Sequence, residues 1–322
     1  MVTMHPPAVT PGPTALRPRW YELPPDIRRV IETQAGSKVV KATSQGAGLT
    51  PGFASRLRFA DGQRLFVKAA DDATRAMFAS AYRKEAQVLP MLPRQVPAPR
   101  IQWSYDADGW IVLAFDDIEG RHPRRPWERK ELGVVLDAIA RTSRALTPAP
   151  GAIGAPAFEA EHGALVDGWD TLAHLPHAGE AAALARHGLA AAAGVALVHT
   201  DVRDDNLLLD QSGSVWVCDW NWVCRGAAWV DSLMVLISAH GDGLDADEAV
   251  GTYELTRDVD GDDIDGLLAL LTGYFFNAAS QEAPDTSPHL RNHQRWYAGV
   301  AWDWLQRRRH WRTDLRPHAP RW

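Results

Sequence analysis

The chain has 322 residues, 46% hydrophobic and 23% charged, with a formal net charge of −6. That length and apolar content supply one large core or two lobes, and the acidic balance argues against a nucleic-acid partner. The longest nearly apolar run, 188–198, is too short to span a bilayer, so no membrane partner is expected. The first residues, MVTMHPPAVTPGPTALRP, lack the charged start and apolar centre of a secretory signal, and their proline content predicts a flexible arm over 1–18. Two cysteines, Cys218 and Cys224, offer no disulfide or metal framework, and a reducing cytoplasm is the simpler setting.

From Ser44 to Ala70 the pattern predicts a glycine-rich turn, a strand, a hairpin turn at Asp61-Gly62, and a strand carrying Lys68. Gly46, Gly48 and Gly52 let backbone amides come close to phosphate oxygens. Their spacing matches neither the Walker A pattern nor the protein-kinase glycine loop, and an ordinary hairpin explains it equally well. A helix is predicted over Ala73 to Leu92, with Glu85 on it and Asp71, Asp72 and Lys84 as competing charges. Trp110 to Gly120, WIVLAFDDIEG, reads as a buried strand running into an acidic, glycine-terminated connection.

The most committed chemistry lies in VHTDVRDDNLLLDQSGSVWVCDW, Val198 to Trp220, which predicts strand, loop, strand, turn, strand. Asp201 and Asn206 fall on the loop, and Asp219 ends the last apolar run. This suits phosphoryl transfer, which asks mainly for positioning and charge neutralisation. Asp201 would accept the proton of a substrate hydroxyl, while Asn206 and Asp219 offer hard oxygen ligands to Mg²⁺. A solvated acidic loop between two strands is the plainer alternative. Arg203 could brace Asp201 or the transferring phosphate; a salt bridge to Asp204 or Asp205 competes with that role.

His199, Asp201, Asn206 and Asp219 resemble the H-x-D-x-x-x-x-N…D pattern of the aminoglycoside phosphotransferase and choline kinase-like small-molecule kinases, relatives of the protein kinases. Departures are Thr200 and Asp205 where many members carry Gly, and Arg203 where His is common. The resemblance implies an ATP and Mg²⁺ site in which Lys68 reaches the phosphates and Glu85 fixes the lysine. It further implies that the backbone from Asp116 to Ile118 bonds the adenine edge and that Leu208 covers the base. The implied fold is a two-lobed, protein-kinase-like α/β (α+β) architecture. A small antiparallel-sheet lobe with one helix would span 19–117, and a larger, mostly helical lobe 118–322.

Charge is uneven. Residues 1–120 hold 15 Lys+Arg against 12 Asp+Glu, and 121–322 hold 19 against 28. From His199 to Asp285 there are 18 acids and only 3 Arg. Those acids suit a cationic acceptor, or they are solvated caps and loops. Asp258 to Gly266, DVDGDDIDG, fails as a calcium loop because Asp263 and Ala269 stand where Gly and Glu are needed; Asp262 or Asp263 is expected to cap the helix Ile264 to Phe276. His289 and His293 lack the intervening Glu of a zinc helix. On a C-terminal helix Trp296 to Arg309, only one of Trp302 and Trp304 can face inward, and Trp169 with Asp170 fits core packing or an acceptor wall alike.

The expectation is an ATP-dependent phosphotransferase acting on a hydroxylated small molecule. A catalytically silent nucleotide-binding scaffold is the alternative. A protein kinase is disfavoured: eleven residues separate Asp219 from Asp231, leaving no room for an activation loop, Trp220-Asn221 replaces Phe-Gly, and no A-P-E follows.

Overall fold

The computed structural model describes residues 15–46, 48 and 50–311. The small lobe is a five-stranded antiparallel sheet in the order β1 (Val39–Ser44), β2 (Phe53–Phe59), β3 (Arg64–Asp71), β5 (Trp110–Asp116), β4 (Ile101–Ala107). Glycine sets two of its hairpins: Gly62 follows Asp61 at φ +92°, and Gly109 follows Asp108 at φ +74°. The register sets Ala54 opposite Lys68 and Arg56 opposite Phe66. Cross-strand partners share a face, so these four side chains point together, and all four line the cleft.

This lobe has two helices, not one. α1 (Pro25–Ala35) buries Ile27 and Ile31 against Phe53, Leu57, Leu65 and Val67 on the sheet's outer face. It opens on a proline, whose fixed φ suits a first turn, and stops at Gly36, φ +70°. α2 (Asp72–Val88) covers the inner face with Ala79, Tyr82 and Val88. Asp71 caps it, accepting from Thr74 N–H at 2.6 Å. α2 ends earlier than expected, passing into a 3₁₀ turn, Leu89–Met91, that contains Pro90.

The large lobe carries α3 (Arg129–Ala145), α4 (Phe158–His162), α5 (Ala178–Ala191), α6 (Val230–Gly241), α7 (Ala246–Thr252), α8 (Gly261–Ser280) and α9 (Leu290–Arg308). α8 is its spine, gripped by α5 and α9. At the α5–α8 crossing the backbones nearly touch: a Cβ on Gly188 would lie 2.0 Å from the Gly266 carbonyl carbon. The cap of α8 is Asp260, which accepts from Asp262 N–H at 2.8 Å. Asp262 and Asp263 instead pair with Arg309 and His187. α9 starts six residues before the expected Trp296, and of Trp302 and Trp304 the second is fully buried while the first is half-buried. Trp169 is core: its Nε1 donates to Ala269 C=O at 2.9 Å.

Between the lobes run the short strands β6 (Gly120–Arg121), β8 (Leu207–Asp210) and β9 (Val215–Val217), with β7 (Ala196–Val198) paired to β10 (Cys224–Gly226). The strand, loop, strand, turn, strand pattern therefore stands. Residues 1–14 of the expected arm lie outside the described residues. The rest of it is held to the body: Ala15 is buried and Leu16 N–H donates to Thr286 C=O at 2.8 Å. Among the described residues no helix is long and apolar enough to cross a membrane.

Candidate active site

The loop after β7 is braced before it reaches Asp201. Asp231, in the first turn of α6, accepts from the N–H groups of His199 and Thr200, both at 2.8 Å. The buried His199 ring meets Cys218 C=O through Nε2 at 2.8 Å, and its Nδ1 accepts from Asp201 N–H at 3.3 Å. Burial lowers its pKa, so the ring stays neutral and fixes the loop to the strand end that carries Asp219. Thr200 sits at φ +61°, a conformation that suits glycine and strains a β-branched residue. Its hydroxyl donates to Trp222 C=O at 2.8 Å.

Asp201 is held on both oxygens, by Arg203 Nη1 at 2.8 Å and Asn206 Nδ2 at 2.9 Å. Burial pushes its carboxyl up to about 6, overriding the Arg203 charge. The two readings of Arg203 both hold, because it also grips Asp205 in a fork at 3.0 and 3.1 Å. Asp204 turns away to Arg125 at 2.9 Å. Burial opposes ionisation of Asp205, yet the Arg203 charge prevails and brings it down to about 2.

Lys68 stands in mid-β3, 6% exposed, and bonds both Glu85 oxygens at 3.0 and 2.9 Å. It also donates to Asp219 Oδ1. Burial works against its charge, but Asp219 and Glu85 keep it protonated. The competing acids are engaged elsewhere: Asp71 with Thr74 and Arg75, Asp72 with Arg83. Burial disfavours ionised Asp219 too, and Lys68 outweighs it, leaving the carboxyl below its ordinary range. Asn206 spends its amide nitrogen on Asp201, so a metal would take its Oδ1 together with Asp219. Among the described residues no group of three or more His, Cys, Asp or Glu is placed to hold a metal. One carboxylate and one amide oxygen suit an ion that completes its shell with phosphate oxygens and water, as Mg²⁺ does.

The nucleotide end departs from expectation in two ways. Of the three glycines only Gly48, at φ +81°, lines the cleft. Gly52 is a packing glycine, since a Cβ there would lie 2.6 Å from the Tyr82 hydroxyl, and Gly46 is solvent-exposed. At the hinge, Asp116 N–H already donates to Arg100 C=O at 3.0 Å, and Ile118 C=O accepts from Arg56 Nη2 at 3.0 Å. The Asp116 amide is therefore not open to an adenine edge, whereas the N–H groups of Asp117 and Ile118 have no partner among the described residues. Asp116, Ile118 and Leu208 all line the cleft.

Sequence reading missed Arg17, Arg56, Tyr82, His122 and Trp222, which share that lining. Arg56 could have been found by counting alternate residues on the strand facing Lys68. Arg17 carried no such signal.

Residues 50–264, well over half of the chain, match the APH phosphotransferase enzyme family. The chain belongs to that family. A thermostable mutant of aminoglycoside phosphotransferase APH(4)-Ia, in a ternary complex with ADP and hygromycin B, has TM-score 0.60 at 12% identity, covering 88% of this chain and 98% of that one. Choline kinase LicA from Streptococcus pneumoniae gives 0.56 at 13%, covering 86% and 99%. Spectinomycin phosphotransferase APH(9)-Ia, with ADP and spectinomycin, gives 0.51 at 12%, covering 86% and 97%. At such identities the likeness is one of fold. No curated protein matches the chain. The chain is thus a phosphotransferase by family, and its two lobes share the fold of these structures.

Proposed function

We propose that this phosphotransferase moves the γ-phosphate of ATP, as its Mg²⁺ complex, to a hydroxyl of a small molecule. The observation that carries the reading is the joining of Lys68, Asp201, Asn206 and Asp219 along one cleft, Lys68 bonded to Asp219 and Asn206 to Asp201. A silent scaffold has no chemical need for that set. The acceptor oxygen attacks the γ-phosphorus, the bond from phosphorus to the β–γ bridging oxygen breaks, and the hydroxyl proton passes to Asp201. Products are the phosphorylated alcohol and ADP. Lys68 steadies the phosphates, and Arg203 keeps Asp201 aimed. Mg²⁺ held by Asn206 and Asp219 would supply charge neutralisation at the phosphate oxygens. Both cysteines are free thiols, which suits the cytoplasm, where ATP is supplied.

For the acceptor we retain the hydroxylated small molecule, with positive charge as a separate question. Nearly all of the 18 acids that suggested a cation have internal partners. Arg125 bonds Asp204 and Asp242, Arg308 bonds Asp247 and Asp265, and Asp231 serves the catalytic loop. Measuring ATP consumption against a panel of hydroxylated amines, sugars and antibiotics should find an acceptor. In calorimetry Asp219→Ala should lose Mg·ATP affinity. Undiminished Mg·ATP binding in that variant would remove Asp219 as a metal ligand, and a wild-type chain that neither binds nor consumes ATP would end the reading.

A further inference from the structure

The segment before α1 does something that the catalytic motif does not account for. It leaves the α8–α9 connection, where Leu16 N–H is tied to Thr286 C=O, and carries Arg17 across to the opposite lobe. There the Arg17 guanidinium enters the cleft and donates through Nε to Thr50 C=O at 2.8 Å and through Nη1 to Gln45 C=O at 2.6 Å. Both carbonyls belong to the glycine-rich turn. Its third corner, Nη2, lies 3.0 Å from where a Cβ on Gly48 would stand, with Asp205 Oδ2 3.9 Å from the same point. Burial lowers its pKa, while the nearby Asp219 and Asp205 carboxylates favour its charge.

We propose that Arg17 is a phosphate-binding residue: a guanidinium brought in from outside the lobe it serves, anchored on the glycine-rich turn and directed at the nucleotide phosphates. The inference rests on the ATP reading above. A nucleoside triphosphate brings up to four negative charges to a region in which Lys68 is already committed to Glu85 and Asp219. A planar fork with two corners fixed on backbone carbonyls presents its remaining edge without further loss of side-chain freedom. Gly48, at φ +81°, places no side chain over that edge, where a Cβ would lie 3.0 Å from Nη2. The same guanidinium, beside Asp205 and Asp219, balances their charge when no nucleotide is bound.

The test is titration calorimetry of the full chain with Mg·ATP and with adenosine, for the wild type, Arg17→Ala and Arg17→Lys. A phosphate contact predicts that Arg17→Ala raises the Kd for Mg·ATP about 10- to 100-fold and leaves adenosine within about twofold, the size expected for a hydrogen bond to a charged group. Arg17→Lys should fall between, because it keeps the charge and loses the fork. Unchanged or tighter Mg·ATP binding in Arg17→Ala would overturn the proposal, the second result marking Arg17 as a plug. Equal weakening of ATP and adenosine would also overturn it, since that is the signature of a turn that has merely lost its support. If the wild type bound adenosine and Mg·ATP alike or bound neither, the nucleotide reading itself would fail, and this inference with it.

Discussion

Asp201 is pulled in two directions at once, and its pH behaviour is the clearest residue-scale consequence. Burial raises its carboxyl to about 6 even though Arg203 touches it. A raised pKa means that the proton-accepting form is lost as pH falls through that value. We therefore expect kcat/KM to be level above about pH 7 and to drop tenfold per unit well below 6. Asp201→Asn should lower kcat by roughly 10²- to 10⁴-fold with nucleotide affinity little changed, and the residual activity should lose the acid limb. A limb that persists in Asp201→Asn belongs to another group. The motif residues were legible because the 21 consecutive positions from His199 to Asp219 carry them all. Their neighbours were not: Arg125 reaches Asp204 over 79 positions, and nothing local to either announces the pair.

At the scale of elements, the large lobe depends on one close crossing. Gly188 of α5 and Gly266 of α8 leave no room for a methyl group, and the obstacle on each side is backbone, which cannot rotate away. Gly266→Ala should cost about 1–3 kcal/mol or more through overpacking, lowering Tm by several degrees at about 2–4 °C per kcal/mol for a chain of this size class. Differential scanning calorimetry reads this directly, and an unshifted Tm would mean that the helices part freely. The sequence hinted at this face only as an alanine-rich run, since a helix contact made through absent side chains leaves no apolar stripe to count. α1 was missed for a related reason. Its stop at Gly36 and its proline start are plain, but it buries only Ile27 and Ile31 within eleven residues, too few to reveal a helical period on their own. Lys68 and Glu85 could be read because strand and helix are adjacent in the chain.

At the scale of the whole molecule, the acids of residues 121–322 are largely paired within the chain. Arg129, Arg144, Arg308 and Arg309 each hold an acid of the α7–α8 region, so the charge that composition suggested as a lure for cations is mostly an internal lattice. We expect kcat/KM for the true acceptor to change less than about threefold between ~0.01 and ~0.15 M salt, although the Debye length shortens from about 30 to about 8 Å over that range. A steep fall would show that the net charge of the lobe still steers its substrate. The two-lobed fold itself was legible, because a sheet-forming half with one clear helix precedes a mostly helical half. One further consequence concerns the residue after Asp219. Trp220 is buried, its Nε1 donates to Val217 C=O at 2.8 Å, and its ring sits edge-on against His199. In protein kinases the aromatic residue at this place sets the active or inactive state by where it packs; here it is wedged between the two strands that carry the chemistry. An inhibitor or regulator that needs that residue to swing out would have to offset the loss of its buried packing and of its hydrogen bond.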